Sequence, residues 1–234
     1  MSIHCNPKVV SDNLILYLDA ANKKSYPKYG LKYWGDMSKY ENHFSMIGNL
    51  NLINESFVFQ GSIENYFASA DNFNHPTTEL TVEMWVLPSV EYSPNAAFYS
   101  FISNDSKTLY HSITGQSNII LYGPRSSIST DISILDGTWK CVTRTSLRNT
   151  GDEKLYINGN LVFSGNVDPL INFNSAGIIL LGEKTTTSGS LDYRYPYVGN
   201  MAIFKIYNKV LTADEVKSNF NAVKGRFYPY IATN

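Results

Sequence analysis

"KLYINGNLVF", residues 154–163, sets two alternating runs on either side of Asn158-Gly159. A two-residue type I′ turn needs positive φ at both central positions, which Asn-Gly tolerates best, so the stretch reads as a β-hairpin. The same alternation recurs along the chain. In "LILYLDA" (14–20), Leu14, Leu16 and Leu18 alternate with Ile15 and Tyr17, so both faces of that strand are apolar enough to be covered. Further runs follow, "SFVFQG", "NYFAS", "TVEMWVLP", "YSFISN", "NIILYG", "KCVTRT", "GIILLG" and "MAIFKIY", with Gly, Asn, Pro and Ser clusters between them. Short strands in this succession make an all-β, two-sheet antiparallel sandwich and not a βαβ protein.

One segment breaks the period. In "LTADEVKSNFNAVKG" (211–225), Thr212 and Glu215 form a capping box and Leu211 with Val216 a hydrophobic staple. Val216, Phe220 and Val223 lie on one stripe, and Gly225 stands where a C′ residue should, so the spacing predicts one short helix over 212–224. The expected layout is an N-terminal arm (1–12), one sandwich including that helix (13–225) and a tail (226–234). A single domain suits 234 residues.

Composition excludes several classes. The chain carries 19 Lys+Arg against 20 Asp+Glu and only 17% charged residues, so no basic stripe is available for nucleic acid. No run reaches the roughly 18 apolar residues of a membrane span. "MSIHCNPKVVSDN" has no apolar core of a signal peptide, which predicts synthesis in a cytoplasm without secretion by the ordinary route. Cys5 and Cys141 are read as free thiols. The 17 tyrosines exceed what a core needs, which places some of them on a contact surface.

The order of these blocks, with "DGTWKCVTRT", the Asn-Gly hairpin and the closing "GNMAIFKIYNKVLTADEVKSNFNAVKGRF", resembles laminin-G-like domains of the concanavalin A-like lectin/glucanase superfamily over about residues 13–227. The resemblance implies a jelly roll. The opening "PKVVSDNLILYLDAANKKSYP" and the close "NFNAVKGRF" are further similar in style to virion proteins of tailed bacteriophages, in which such domains decorate heads, tails or fibres.

Enzymes of the same superfamily carry Glu-x-Asp-x-Glu on a strand, and retention requires carboxyl groups about 5–5.5 Å apart. The matching register is Glu79, Thr81 and Glu83, with Thr81 in place of the tuning acid. Residues i and i+4 of a strand lie roughly 13 Å apart, so catalysis is not expected. Val82, Met84 and Val86 should face one way, and Thr81, Glu83 and Trp85 the other, less apolar way. His4, His43, His75 and His111 show no metal-binding spacing and are expected to be exposed. Cys141 reads as a core thiol.

The resemblance also implies a calcium position, where relatives use Asp. Here it falls on Asn65, with Glu64 beside it, and on Asn200, so a weak Ca²⁺ site stands against plain turn hydrogen bonds. For ligand or partner contact, two loops supply exposed aromatic and polar groups: Tyr92, Asn95 and Tyr99 in one, and Asp192, Tyr193, Arg194, Tyr195 and Tyr197 in the other. The same rings suit a subunit interface. The leading expectation is a non-enzymatic bacteriophage virion protein, a structural, decoration or adhesion component. It would contact other virion proteins, form a homo-oligomer in the particle and touch host surface polysaccharide. A free-standing carbohydrate-binding module is the alternative and a glycoside hydrolase the third reading.

Overall fold

The computed structural model describes residues 7–27, 30–90, 96–104, 109–114, 118–123, 126–169, 175–183 and 196–228. Two antiparallel sheets pack face to face, as the alternation requires. Among the described residues the first has eight strands, in the spatial order Asn160–Asn166, Asp152–Ile157, Lys140–Leu147, Glu79–Pro88, Val198–Tyr207, Ser56–Gln60 and Asn51–Ile53, with Leu14–Asp19 also paired to Val198–Tyr207. The second has nine, running from Ser127–Ser129 through Ile120–Tyr122, Leu109–Thr114, Ala97–Ser103, Ala176–Leu181, Tyr66–Ala68 and Phe44–Ile47 to Tyr33–Trp34, with Phe73–Asn74 also on Ala176–Leu181. This is the expected jelly roll. Neighbours such as Glu79–Pro88 and Val198–Tyr207 are far apart in sequence. Such pairing is non-local and Greek-key-like in character.

The hairpin forms as read: Asn158 has φ +54° and Gly159 φ +74°, joining strands paired from Ile157–Asn160 outward. Between the sheets, Leu80, Val82, Met84 and Val86 meet Leu16, Leu18, Phe204 and Ile206 from the first sheet and Phe67, Phe101 and Ile179 from the second. Trp34, Phe57 and Phe67 pack edge-on or tilted with centroids about 5 Å apart. One buried ion pair crosses this core. Arg144 grips Glu153 through two nitrogens at 2.8 Å each, Ser146 donates to the same carboxylate, and Arg144 Nη1 reaches the Tyr122 carbonyl on the opposite sheet.

The first sheet has a second apolar face, and the helix covers it. Ala213–Phe227 begins with the predicted capping box: Thr212 Oγ1 accepts from Glu215 N at 3.2 Å, and Thr212 N donates to Glu215 Oε2 at 2.8 Å. It does not stop at Gly225. Phe227 stacks on Trp85 at 4.1 Å, Arg226 pairs with Asp19 and Glu55, and Tyr228 becomes the C-cap, so tertiary contacts carry the helix beyond the residue expected to end it. The described part of the N-terminal arm docks here too, with Val10 N donating to Asn219 Oδ1 at 2.8 Å and Ser218 donating to the Lys8 carbonyl. No helix among the described residues is long and apolar enough to cross a membrane.

Gly225 sits inside the helix without positive φ and with open space where a Cβ would go. Gly225→Ala should therefore raise stability in urea unfolding by about 1 kcal/mol. A C′ glycine in the left-handed region would give the opposite sign.

Candidate functional site

The face of "ELTVEMW" opposite the core is the place where a catalytic pair would have to work. Side chains alternate there as the strand dictates: Glu79, Thr81, Glu83 and Trp85 all turn toward the helix and its approach. Glu79 Oε2 accepts from Val210 N at 3.0 Å. Thr81 Oγ1 donates to the Lys209 carbonyl at 2.6 Å and accepts from Leu211 N at 3.0 Å. Glu83, read as lying on a less apolar face, is 0% exposed. Its Oε1 accepts from Lys205 Nζ at 2.7 Å, and its Oε2 from Asn219 Nδ2 at 2.9 Å. Asn219 also bonds Tyr207 Oη, and the Lys205 ammonium lies 5.0 Å from the Tyr17 ring centre.

Electrostatics follow from this enclosure. Burial alone would lower the Lys205 pKa, yet the adjacent Glu83 carboxylate, with Tyr207 and Tyr17, holds it well above the ordinary lysine value. Burial pushes the Tyr207 phenol up. Lys205 and Glu83 thus form a closed ion pair with no room for a substrate. Glu83 is sealed beneath the helix, while Glu79 stays exposed at the helix entrance with one oxygen held by Val210 N.

The tyrosine loops divide. Tyr92, Asn95, Asp192, Tyr193, Arg194 and Tyr195 lie outside the described residues. Tyr99 and Tyr197, expected as exposed loop side chains, are 0% and 1% exposed. Tyr99 belongs to the Ala97–Ser103 strand, and Tyr197 plugs the core between Phe59 and Phe98, donating to the Asn200 carbonyl at 3.0 Å. Their rings meet the core's need for volume, so neither can touch a ligand. Burial raises the pKa of both phenols.

His75 corrects the expectation of exposed histidines: it is buried against Phe101 at 4.1 Å. The Pro76 carbonyl accepts from Nδ1 at 3.2 Å, which fixes the tautomer, so Nε2 accepts from Tyr99 Oη at 2.6 Å. Burial first, then the nearby Arg148 guanidinium, lowers its pKa well below the usual histidine value. Cys141 is a buried free thiol, as read, and burial pushes its pKa up.

At the calcium position, Asn65 Oδ1 accepts from Asn49 N at 2.8 Å, and Asn200 Nδ2 donates to Ser56 Oγ at 3.0 Å, while Glu64 stays exposed. One solvent-facing carboxylate and two hydrogen-bonded amides do not fit the charged oxygen shell that calcium takes. No group of three or more His, Cys, Asp or Glu gathers among the described residues.

With this geometry in place, comparison identifies the family. The model of the concanavalin A-like lectin/glucanases superfamily matches residues 60–217, and the chain belongs to that superfamily. No curated protein matches the sequence. Among solved structures, the chain is similar to botulinum neurotoxin type C, in work reporting that its cell entry depends on interaction with two ganglioside molecules (19% identity, TM-score 0.69, 92% of this chain and 52% of that one). It is also similar to the binding domain of botulinum neurotoxin DC in complex with SialylT (19%, 0.68, 91% and 52%). The same domain in complex with rat synaptotagmin II gives 19%, 0.67, 92% and 52%. The chain thus spans about half the length of these structures, and at such identity the likeness is one of fold.

Glu83→Gln should cost about 3–5 kcal/mol in chemical denaturation, because it leaves the Lys205 ammonium buried without its counter-charge. For His75 the folded pKa lies below the unfolded one, so its contribution is complete above about pH 6.5 and is lost as pH falls through that value toward the folded pKa. Urea midpoints measured from pH 7.5 down to pH 5 should therefore decline less in His75→Gln than in the parent chain.

Proposed function

We propose that this chain is a non-enzymatic recognition domain. The observation that carries this reading is the engagement of Glu79, Thr81 and Glu83 in docking the chain's own helix, which removes the strand that hydrolases of this architecture use. Support for recognition comes from the partners of similarly folded proteins: gangliosides for neurotoxin type C, and SialylT and rat synaptotagmin II for the neurotoxin DC binding domain. Fold-level likeness is an analogy, and the ligand has to be argued from this chain's own surface.

In its finer form the reading is a laminin-G-like domain displayed on a bacteriophage particle, held to other virion proteins as a homo-oligomer and contacting host surface polysaccharide. The two terminal blocks, "PKVVSDNLILYLDAANKKSYP" and "NFNAVKGRF", support that setting. A free-standing carbohydrate-binding module is the second reading, favoured by the lectin-type sandwich itself.

Light scattering of the purified chain, with and without Ca²⁺, separates the two. The particle reading expects a stable trimer or larger ring in either condition, whereas a clean monomer that binds glycan supports the free-standing module. Turnover of a β-glucan such as laminarin should be absent, and any turnover abolished by Glu79→Gln would sink the non-enzymatic reading.

A further inference from the structure

A cleft of about 490 Å³ opens where the loop before Glu79–Pro88 meets the start of Leu14–Asp19 and the end of Val198–Tyr207. Its volume is that of a small-molecule site. Its walls are tied by backbone hydrogen bonds: His75 N to the Ser175 carbonyl at 2.8 Å, Arg148 N to the Thr78 carbonyl at 2.8 Å, and Asn208 N to the Asn13 carbonyl at 2.9 Å. The cleft is therefore formed before any ligand arrives.

Its lining is chemically uniform. Three amides, Asn42, Asn74 and Asn208, and three hydroxyls, Thr77, Thr78 and Ser175, face one space floored by Ile15 and walled by His75. Asn42 is held by its own bonds, its Nδ2 donating to the Ile15 carbonyl at 3.1 Å and its backbone N to Asp36 Oδ2 at 2.9 Å, which leaves Oδ1 as a fixed acceptor. Among the described residues, no hydrogen bond engages the side chains of Asn74, Thr77, Thr78, Ser175 or Asn208. A ligand hydroxyl entering here displaces water and breaks no protein bond. Tyr40 stands at the rim, 50% exposed.

Among the described residues, no Asp, Glu, Lys or Arg lines the cleft, and burial lowers the pKa of His75. Beside the rim, the Lys39 ammonium lies 5.2 Å from the Tyr40 ring centre. The Arg148 guanidinium lies behind His75 and outside the lining, so a charged ligand would lose its hydration without a counter-ion in direct contact. A neutral, hydroxyl-rich ring with one C–H face matches every element: the face for the Tyr40 ring, the hydroxyls for the amides and side-chain hydroxyls.

We infer that this cleft binds a neutral hexose or N-acetylhexosamine unit of a glycan, stacked on Tyr40 and hydrogen-bonded by Asn42, Asn74, Asn208 and the Thr77–Thr78 hydroxyls. The assignment deepens the recognition reading above and rests on it. The test is an NMR titration of the ¹⁵N-labelled full chain with glucose, galactose, mannose and N-acetylglucosamine, with sialic acid as the charged comparison. The expected result is a saturable shift of the Tyr40, Asn74, Thr77, Thr78 and Asn208 amides by at least one neutral sugar. Tyr40→Ala and Asn74→Ala, both at exposed positions, should keep the fold and weaken that binding about tenfold. Saturable shifts confined to other residues, binding of sialic acid alone, or no saturable shift with any sugar would overturn the cleft assignment. A glycan array with the same variants tells the two levels apart. If the parent chain binds a glycan and Tyr40→Ala binds it equally well, the cleft assignment falls while recognition elsewhere on the chain stands.

Discussion

The fold depends on one covered surface, the outer face of the first sheet. A strand such as Glu79–Pro88 is apolar toward the core through Val82, Met84 and Val86, and it also carries Trp85 on the reverse side. Left open, that side would expose indole and thiol surface to water. The helix closes it, and the closure is specific because it is more than greasy contact: Phe220 and Phe227 stack on Trp85, while Asn219 reaches down to the Glu83–Lys205 pair. A buried ion pair is weak evidence for net stability but strong evidence for a fixed arrangement, since breaking either partner leaves a bare charge. The helix can therefore seat in only one register.

The same surface is built for packing. In a β-glucanase of this architecture the strand would present carboxylates to a sugar, whereas here each polar side chain on that side is a fastener for the chain's own C-terminal segment. The second buried pair, Arg144 with Glu153, performs an analogous task across the core by bringing the guanidinium to the Tyr122 carbonyl of the facing sheet. His75 and Tyr99 do so near the edge of the sandwich, both held in their neutral forms by burial. Buried polar groups in this protein specify alignment.

That division fits the way sandwich domains evolve function, with a rigid scaffold carrying variable loops and sheet ends. The neutral cleft beneath Tyr40 belongs to such an end. Its residues come from five separate stretches of chain, with 74–78 supplying half of them, so no single local pattern announces the whole. Rings cluster in sequence in the tyrosine-rich segments, yet two of them, Tyr99 and Tyr197, belong to the core.

The sequence by itself determined the element types, the hairpin, the helix start and the two-faced strands. These rest on local causes, namely the period-2 alternation, the φ preference of Asn158-Gly159 and the capping chemistry of Thr212 with Glu215. Short strands such as Tyr33–Trp34, Asn51–Ile53 and Ser127–Ser129 escaped it, being too brief to show a period. Only the tertiary structure decided that Glu83 is sealed, that Tyr99 and Tyr197 are buried, that the helix runs past Gly225, and that distant amides share one cleft. Each of these turns on a partner far along the chain, as Lys205 is from Glu83 at a separation of 122 residues. Pairing at that range is fixed by how sheets and helix pack together, and residue spacing carries no record of it.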